Sequence, residues 1–117
     1  MSITSDLIRG HTDTIILAHL INGDSYGYQI NKCINRESGG KFELKEATLY
    51  SAFKRLEGDG MIVSYWGDSE AGGARRRYYS ITDKGRAAYR ALFDEWKEAC
   101  IIISNLIDTI SHDGGNI

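Results

Sequence analysis

The spacing of apolar residues divides the chain into four helical stretches and one hairpin. Residues 4–21 carry Ile15, Ile16, Leu17, Leu20 and Ile21, while Leu7, Gly10, Thr14 and Ala18 continue a second side. A helix apolar on more than one side is usually covered on more than one side. Asn22-Gly23-Asp24-Ser25 stops this pattern, with glycine ending one helix and Asp24 or Ser25 capping the next. In the second helix Tyr26, Ile30, Cys33 and Ile34 share a side, and Tyr28, Gln29, Lys32 and Arg36 face away from it. Glu37-Ser38-Gly39-Gly40 breaks that helix, and a third begins near Lys45. Leu49, Ala52, Phe53 and Leu56 give it a stripe at i, i+3, i+4 and i+7. Ala47, Ser51 and Lys54 lie opposite, with Thr48, Tyr50 and Arg55 on the flanks.

After Gly58-Asp59-Gly60 the pattern becomes β-branched and aromatic over residues 61–66 and 77–82, around a polar, glycine-rich stretch at 67–74. This predicts a hairpin with a long tip, with Tyr65 and Trp66 packed at its base. Thr82 is placed to cap a final helix over 83–111, with Asp83 against its N-terminal dipole. The resulting fold class is mostly α (α+β): a winged helix-turn-helix with a two-stranded wing and a long C-terminal dimerisation helix. Residues 1–82 form the winged unit, whose first helix also contributes to the dimer; 83–111 form the dimerisation helix and 112–117 a flexible tail.

Along the last helix Tyr89, Leu92, Trp96, Ala99, Ile103, Leu106 and Ile110 recur at alternating spacings of three and four, an unbroken a/d seam. Phe93, Cys100 and Ile107 widen it to one side. So small a domain offers too little surface to cover such a face, which predicts packing on a second copy.

Composition narrows the partners. The 117 residues are 42% hydrophobic and 26% charged, ordinary for a soluble domain. No apolar run approaches the ~20 residues that span a bilayer, and residues 1–10 lack a signal-peptide core; a cytoplasmic location without membrane contact is expected. The formal charge of −2 argues against nucleic acid, but its distribution reverses the argument. Residues 61–90 hold six Lys/Arg against three Asp/Glu, and 91–117 one against five. Screening confines a field to about 8–10 Å, so a local basic stripe still attracts phosphate.

The third helix presents short donors at Thr48 and Ser51, a reaching hydroxyl at Tyr50 and charge at Lys54 and Arg55, which suits a major groove. The same pattern also describes any amphipathic helix with one solvated side. Tyr28 and Lys32 on the outward side of the second helix join these candidates. Alternation sends Arg75 and Arg77 to one side of the wing and Arg76 to the other. Gly72 and Gly73 let the backbone approach a phosphate ridge, so the run suits backbone or minor-groove contact.

Other chemistry is excluded by what is missing. Cys33 and Cys100 form no CxxC or Cys/His cluster, so neither a disulfide framework nor zinc is indicated. His11, His19 and His112 are scattered, with surface, capping or half-buried roles. No catalytic constellation or phosphate loop occurs, so no enzyme, cofactor or metal is expected. A metal-sensing winged-helix repressor of the ArsR type would need clustered ligands. A winged helix serving as a protein-interaction module, without specific DNA binding, is the alternative reading.

Gly23, Tyr26-Gly27-Tyr28, Ala47-Thr48-Leu49-Tyr50, Arg55-Leu56-Glu57, Gly60-Met61-Ile62 and the run from Gly72 through Arg75-Arg76-Arg77-Tyr78-Tyr79 to Thr82-Asp83-Lys84-Gly85 resemble the PadR family of transcriptional regulators. The likeness covers the chain from about Leu17 onward. Glu46, Ser64-Tyr65-Trp66-Gly67-Asp68 and the Phe93/Trp96 pair extend it to the small LmrR-like, multidrug-binding subfamily. Membership implies a homodimeric repressor on a pseudo-palindromic double-stranded operator, with Tyr50, Lys54, Arg75, Arg76 and Arg77 as DNA contacts. In that subfamily the Trp matching Trp96 lines a pore at the dimer centre and stacks on flat hydrophobic drugs. The resemblance thus implies a slot for a hydrophobic aromatic molecule at Trp96, with Phe93, Leu7, Thr14 and Cys100 around it. Cys100 stands where the multidrug-binding member carries an acidic residue, which argues against a preference for cations.

Overall fold

The computed structural model describes residues 7–67 and 75–115, with side chains as far as residue 108. Its elements are α1 (Thr12–Ile21), β1 (Ser25–Tyr26), α2 (Gly27–Glu37), α3 (Glu46–Gly58), β2 (Ile62–Trp66), β3 (Arg77–Ile81) and α4 (Asp83–Gly115). The apolar stripes meet as their spacing requires. Ile16, Leu17 and Leu20 of α1, Ile30 and Ile34 of α2, and Leu49, Ala52, Phe53 and Leu56 of α3 form one buried cluster. Ile62 and Tyr79 close it from the sheet side.

The first helix is shorter than its pattern suggested. A helical turn at residues 7–9 is followed by a break at Gly10 and His11, and regular helix starts only at Thr12. Bonds of i to i+3 type tighten this break: His11 N donates to Ile8 O at 2.8 Å, and Thr12 Oγ1 to Arg9 O at 2.8 Å. Residues 4–6, also assigned to that helix, lie outside the described residues.

The wing has gained a strand. Ser25 and Tyr26 pair with Tyr79 and Tyr78, giving an antiparallel sheet of order β1-β3-β2. Ser25, a capping candidate, and Tyr26, assigned to the helix itself, are therefore extended, and α2 starts at Gly27 without a side-chain cap. Ser25 is buried and donates to Gln29 Oε1 at 2.6 Å.

Between α2 and α3 the chain does more than break. Gly39 and Gly40 turn it at φ 68° and 79°, a region that strains other residues. Phe42 and Leu44 then enter the core. Asn31 pins this segment, its amide donating to Leu44 O at 2.6 Å and its carbonyl accepting from Leu44 N at 2.8 Å. The entry angle of α3 is thereby tied to α2.

At the foot of the hairpin Thr82 closes the sheet and opens α4. Its N–H donates to Met61 O at 3.0 Å, its hydroxyl donates to Gly60 O at 2.7 Å, and the same oxygen accepts from Gly85 N at 3.0 Å. The cap read from the sequence is thus present. Helix α4 runs on through Gly115, four residues past the expected end at Ser111, to the first glycine pair after Gly85. Its beginning packs against the core of its own domain through Ala88, Tyr89 and Leu92.

Gly85 is buried at this junction. A Cβ there would fall on the Met61 carbonyl oxygen and lie 2.7 Å from Ile81 Cγ1, both fixed by the hairpin. Overpacking of this kind costs about 1–3 kcal/mol. Gly85→Ala is therefore expected to lower the unfolding free energy by that amount, read as a lower urea midpoint at unchanged slope. A midpoint equal to wild type would mean that α4 is not locked to the hairpin.

Candidate nucleic-acid interface

The buried stripe of α3 dictates what its other side shows. With Leu49, Ala52, Phe53 and Leu56 inward, Ala47, Ser51 and Lys54 are exposed, Thr48 is half-buried, and Tyr50 and Arg55 flank them in solvent. Tyr50 sits edge-on to Phe53, ring centroids 5.5 Å apart. Its hydroxyl lies across the first turn of α2, because a Cβ at Gly27 would stand only 2.6 Å from it. Tyr28 projects outward from that turn at 69% exposure, with Lys32 Nζ 5.7 Å from its ring centroid.

The wing completes a concavity of about 490 Å³ bounded by Tyr26, Tyr28, Tyr50, Trp66 and the three arginines. Arg75 and Arg77 both stand over the Trp66 ring, at 5.9 and 5.0 Å, whereas Arg76 stands over Tyr26 at 4.7 Å. The split is the one strand alternation predicts. Among the described residues, no carboxylate is paired with any of the three. The nearby acids are engaged elsewhere: Asp24 accepts from Tyr65 Oη at 2.5 Å, and Glu57 from Ser64 Oγ at 2.6 Å. The first bond holds the Tyr65 hydroxyl's pKa above its ordinary value, with lesser support from desolvation and the Asp24 charge. Arginines, lysine, tyrosine hydroxyls and the uncapped N-terminus of α2 therefore share one surface, a combination suited to phosphate.

One expectation needs correction here, and one candidate has a partner the pattern did not show. Tyr65 and Trp66 were expected to pack at the hairpin base, but they are 43% and 53% exposed. Both stand at the tip end of the β2–β3 ladder, opposite Tyr78 and Arg77, and not at its foot, where Ile62 faces Ile81. Arg55, a flanking candidate, forms an ion pair with Asp13 of α1, a contact across 42 positions that no local pattern reports. Gly73 lies outside the described residues.

On the opposite side, α1 and α4 enclose a second, smaller space of about 270 Å³ lined by Ile8, His11, Thr14, Ile15 and Trp96. Trp96 and Thr14, two of the slot candidates, both line it. Leu7, Phe93 and Cys100 do not line it: Leu7 is 69% exposed, and Phe93 lies flat against Tyr89 with centroids 5.8 Å apart. Cys100 is half-buried, one helical turn beyond Trp96. His11 also lines this space, its ring edge-on to Trp96 at 4.9 Å. It stands three positions before Thr14 on the same side, a signal the scattered placement of histidines obscured.

Of the seam residues, Tyr89, Leu92 and Ala99 are partly buried, but Ile103 and Leu106 are 54% and 65% exposed. Ile101, Ile102 and Ile107 are equally bare. The side chain of Ile110 lies outside the described residues. A groove of about 630 Å³ between α1 and α2, reaching Ile15, His19, Cys33 and Phe42, is likewise uncovered. Among the described residues no cluster of three or more His, Cys, Asp or Glu could hold a metal ion, and no helix is long and apolar enough to cross a membrane.

Residues 16–91 match the model of the "Transcriptional regulator PadR-like family". The chain belongs to that family. A transcriptional regulator from Clostridium thermocellum is similar over 89% of this chain and 97% of its own, with 47% identity and a TM-score of 0.80. A PadR family transcription regulator from Clostridium difficile covers 83% of this chain and 98% of its own, at 32% identity and a TM-score of 0.72. An uncharacterized protein of Lysinibacillus sphaericus is 46% identical over 101 residues, 86% of this chain and 92% of its own. As a PadR-like protein the chain is a transcriptional regulator of a DNA-binding family that typically dimerises, and not an enzyme.

One histidine in this PadR-like domain reports on packing. Burial holds the pKa of His19 below its ordinary 6.5, the Arg36 charge lowers it further, and Glu37 partly opposes both. The folded state then binds fewer protons than the unfolded chain, so stability is complete above about pH 6.5 and falls as pH drops below it. His19→Gln should flatten urea-midpoint profiles in that acidic window. An unaltered profile would assign the pH dependence to other groups.

Proposed function

We propose that this PadR-like protein is a homodimeric repressor that grips a pseudo-palindromic operator with α3 and the wing. The observation that carries this reading is the concavity where Arg75, Arg76 and Arg77, none paired with a carboxylate among the described residues, converge with Tyr28 and Tyr50. Thr48, Ser51 and Lys54 on α3 are the base-reading candidates; Tyr28, Lys32, Tyr50 and the arginines are the phosphate contacts. The bare aliphatic half of α4 supports the dimer, since five exposed large side chains within residues 101–107 are a face that a second copy covers. Two such domains present two recognition helices to half-sites about one helical turn apart. A chromosomal target places the protein in the cytoplasm.

The space at Trp96 supports a LmrR-like extension: a flat, hydrophobic aromatic molecule enters at the dimer interface and releases the DNA. A ligand acts only through unequal affinity for two arrangements of the protein. The Asp13–Arg55 pair supplies a physical link for such a difference, because Asp13 adjoins Thr14 in the slot and Arg55 rides on α3.

The test is fluorescence anisotropy on the DNA upstream of the protein's own gene, with a salt series. Selective binding is expected, with a steep loss on adding salt. Arg75/Arg76/Arg77→Ala should weaken it roughly tenfold or more and flatten the slope of log K against log salt by about 0.9 for each phosphate that is no longer neutralised. An intact dimer that selects no sequence at any modest salt would instead make this an interaction module.

For the slot, Trp96→Ala should weaken binding of a planar aromatic dye by about fivefold or more, since stacking alone contributes ~1 kcal/mol. Dye binding that does not change would remove the slot from the mechanism.

A further inference from the structure

A guanidinium can be held in place in two ways that differ in what remains available. A carboxylate partner occupies its N–H donors, whereas an aromatic ring meets its flat side and leaves all five in-plane donors free. The wing uses the second arrangement, although not every donor stays free. Arg75 Nε is engaged by the Gly67 carbonyl and the Arg77 guanidinium also acts on the Tyr79 hydroxyl, so the remaining N–H groups are the available ones. Trp66 stands directly opposite Arg77 in the β2–β3 ladder, and Arg75, two positions on, emerges on the same side. Both guanidinium carbons lie over the one indole, at 5.0 and 5.9 Å.

The backbone beside the indole is equally constrained. Gly67 N donates to Arg76 O at 2.7 Å, and Arg75 Nε donates to Gly67 O at 3.1 Å. A Cβ at Gly67 would come within 2.5 Å of the Tyr78 ring, so the glycine lets the strand end close against β3. Trp66 itself is half-exposed. Its exposure is hard to explain by core packing and is accounted for by the two cations that share it.

We propose that Trp66 is a positioning residue for DNA binding: its indole gathers Arg75 and Arg77 into one preorganised pair whose remaining donors engage adjacent phosphates. Arg76, seated on Tyr26, addresses a different part of the backbone. The inference rests on the DNA-binding reading above and adds a residue to it. Without the indole, two neighbouring cations would repel and sample many rotamers, and ordering them would fall to the binding step.

The test uses the full-length protein on the DNA fragment that wild type selects, comparing W66A, W66F, R75A/R77A and the combined variants by anisotropy across a salt series. Thermal unfolding accompanies each measurement. W66A should weaken binding roughly three- to tenfold and move the salt slope toward that of R75A/R77A, with W66F in between. In the R75A/R77A background, adding W66A should change affinity by less than about twofold, because the arginines it positions are gone.

The inference is overturned if W66A keeps both affinity and slope, or if its full loss persists without the two arginines. Should W66A fail to reach the folded dimer, W66F in both backgrounds decides by the same comparison. A wild-type protein that selects no DNA removes the DNA-binding reading and this inference with it. One that does, with W66A indistinguishable from it, removes this inference alone.

Discussion

Phe53 and Tyr79 lie nearly parallel, ring centroids 3.9 Å apart and planes 18° from each other. Phe53 is the largest fully buried side chain of α3, and Tyr79 is the buried residue of β3. Burying such rings contributes about 1.5–3 kcal/mol each, but position matters here as much as energy. The stack fixes the recognition helix against the central strand of the sheet, and burial raises the Tyr79 hydroxyl's pKa above its ordinary value. Tyr50 leans on Phe53 from one side, and Ser25 and Ser64 pair with Tyr79 across the strands. The concavity between α3 and the wing takes its shape from that contact.

From this anchor outward the structure changes character. Near the stack, polar groups are tied to one another: Asn31 to Leu44, Thr82 to Gly60 and Gly85, Tyr65 to Asp24. Farther out along β3, the arginines meet aromatic rings in place of acids. Charge is thereby kept available on the side where phosphate would approach, while the protein's overall charge stays slightly negative at −2. Along α4 the change is from shared core to bare aliphatic surface, with Trp96 near the transition.

Much of this was legible in the residue pattern. The stripe of α3 predicted both its buried and its outward residues, because a regular helix repeats its geometry over a turn. Alternation correctly separated Arg76 from Arg75 and Arg77. The failures share a cause. β1, the entry of Phe42 and Leu44 into the core and the Asp13–Arg55 pair all depend on elements far apart in the chain. A two-residue strand has too few positions to show a period, and an ion pair spanning 42 residues has none at all.

By itself, then, the sequence determined the elements other than β1, their order, the family motifs and the apolar seam of α4, since each is written in local spacing. Tertiary structure alone decided that Trp66 carries cations, that His11 meets Trp96 while Phe93 turns to Tyr89, and that Arg55 leans toward α1. These outcomes rest on distances between side chains from different elements. Helix crossing and strand pairing set those distances, and no periodicity within one segment encodes them.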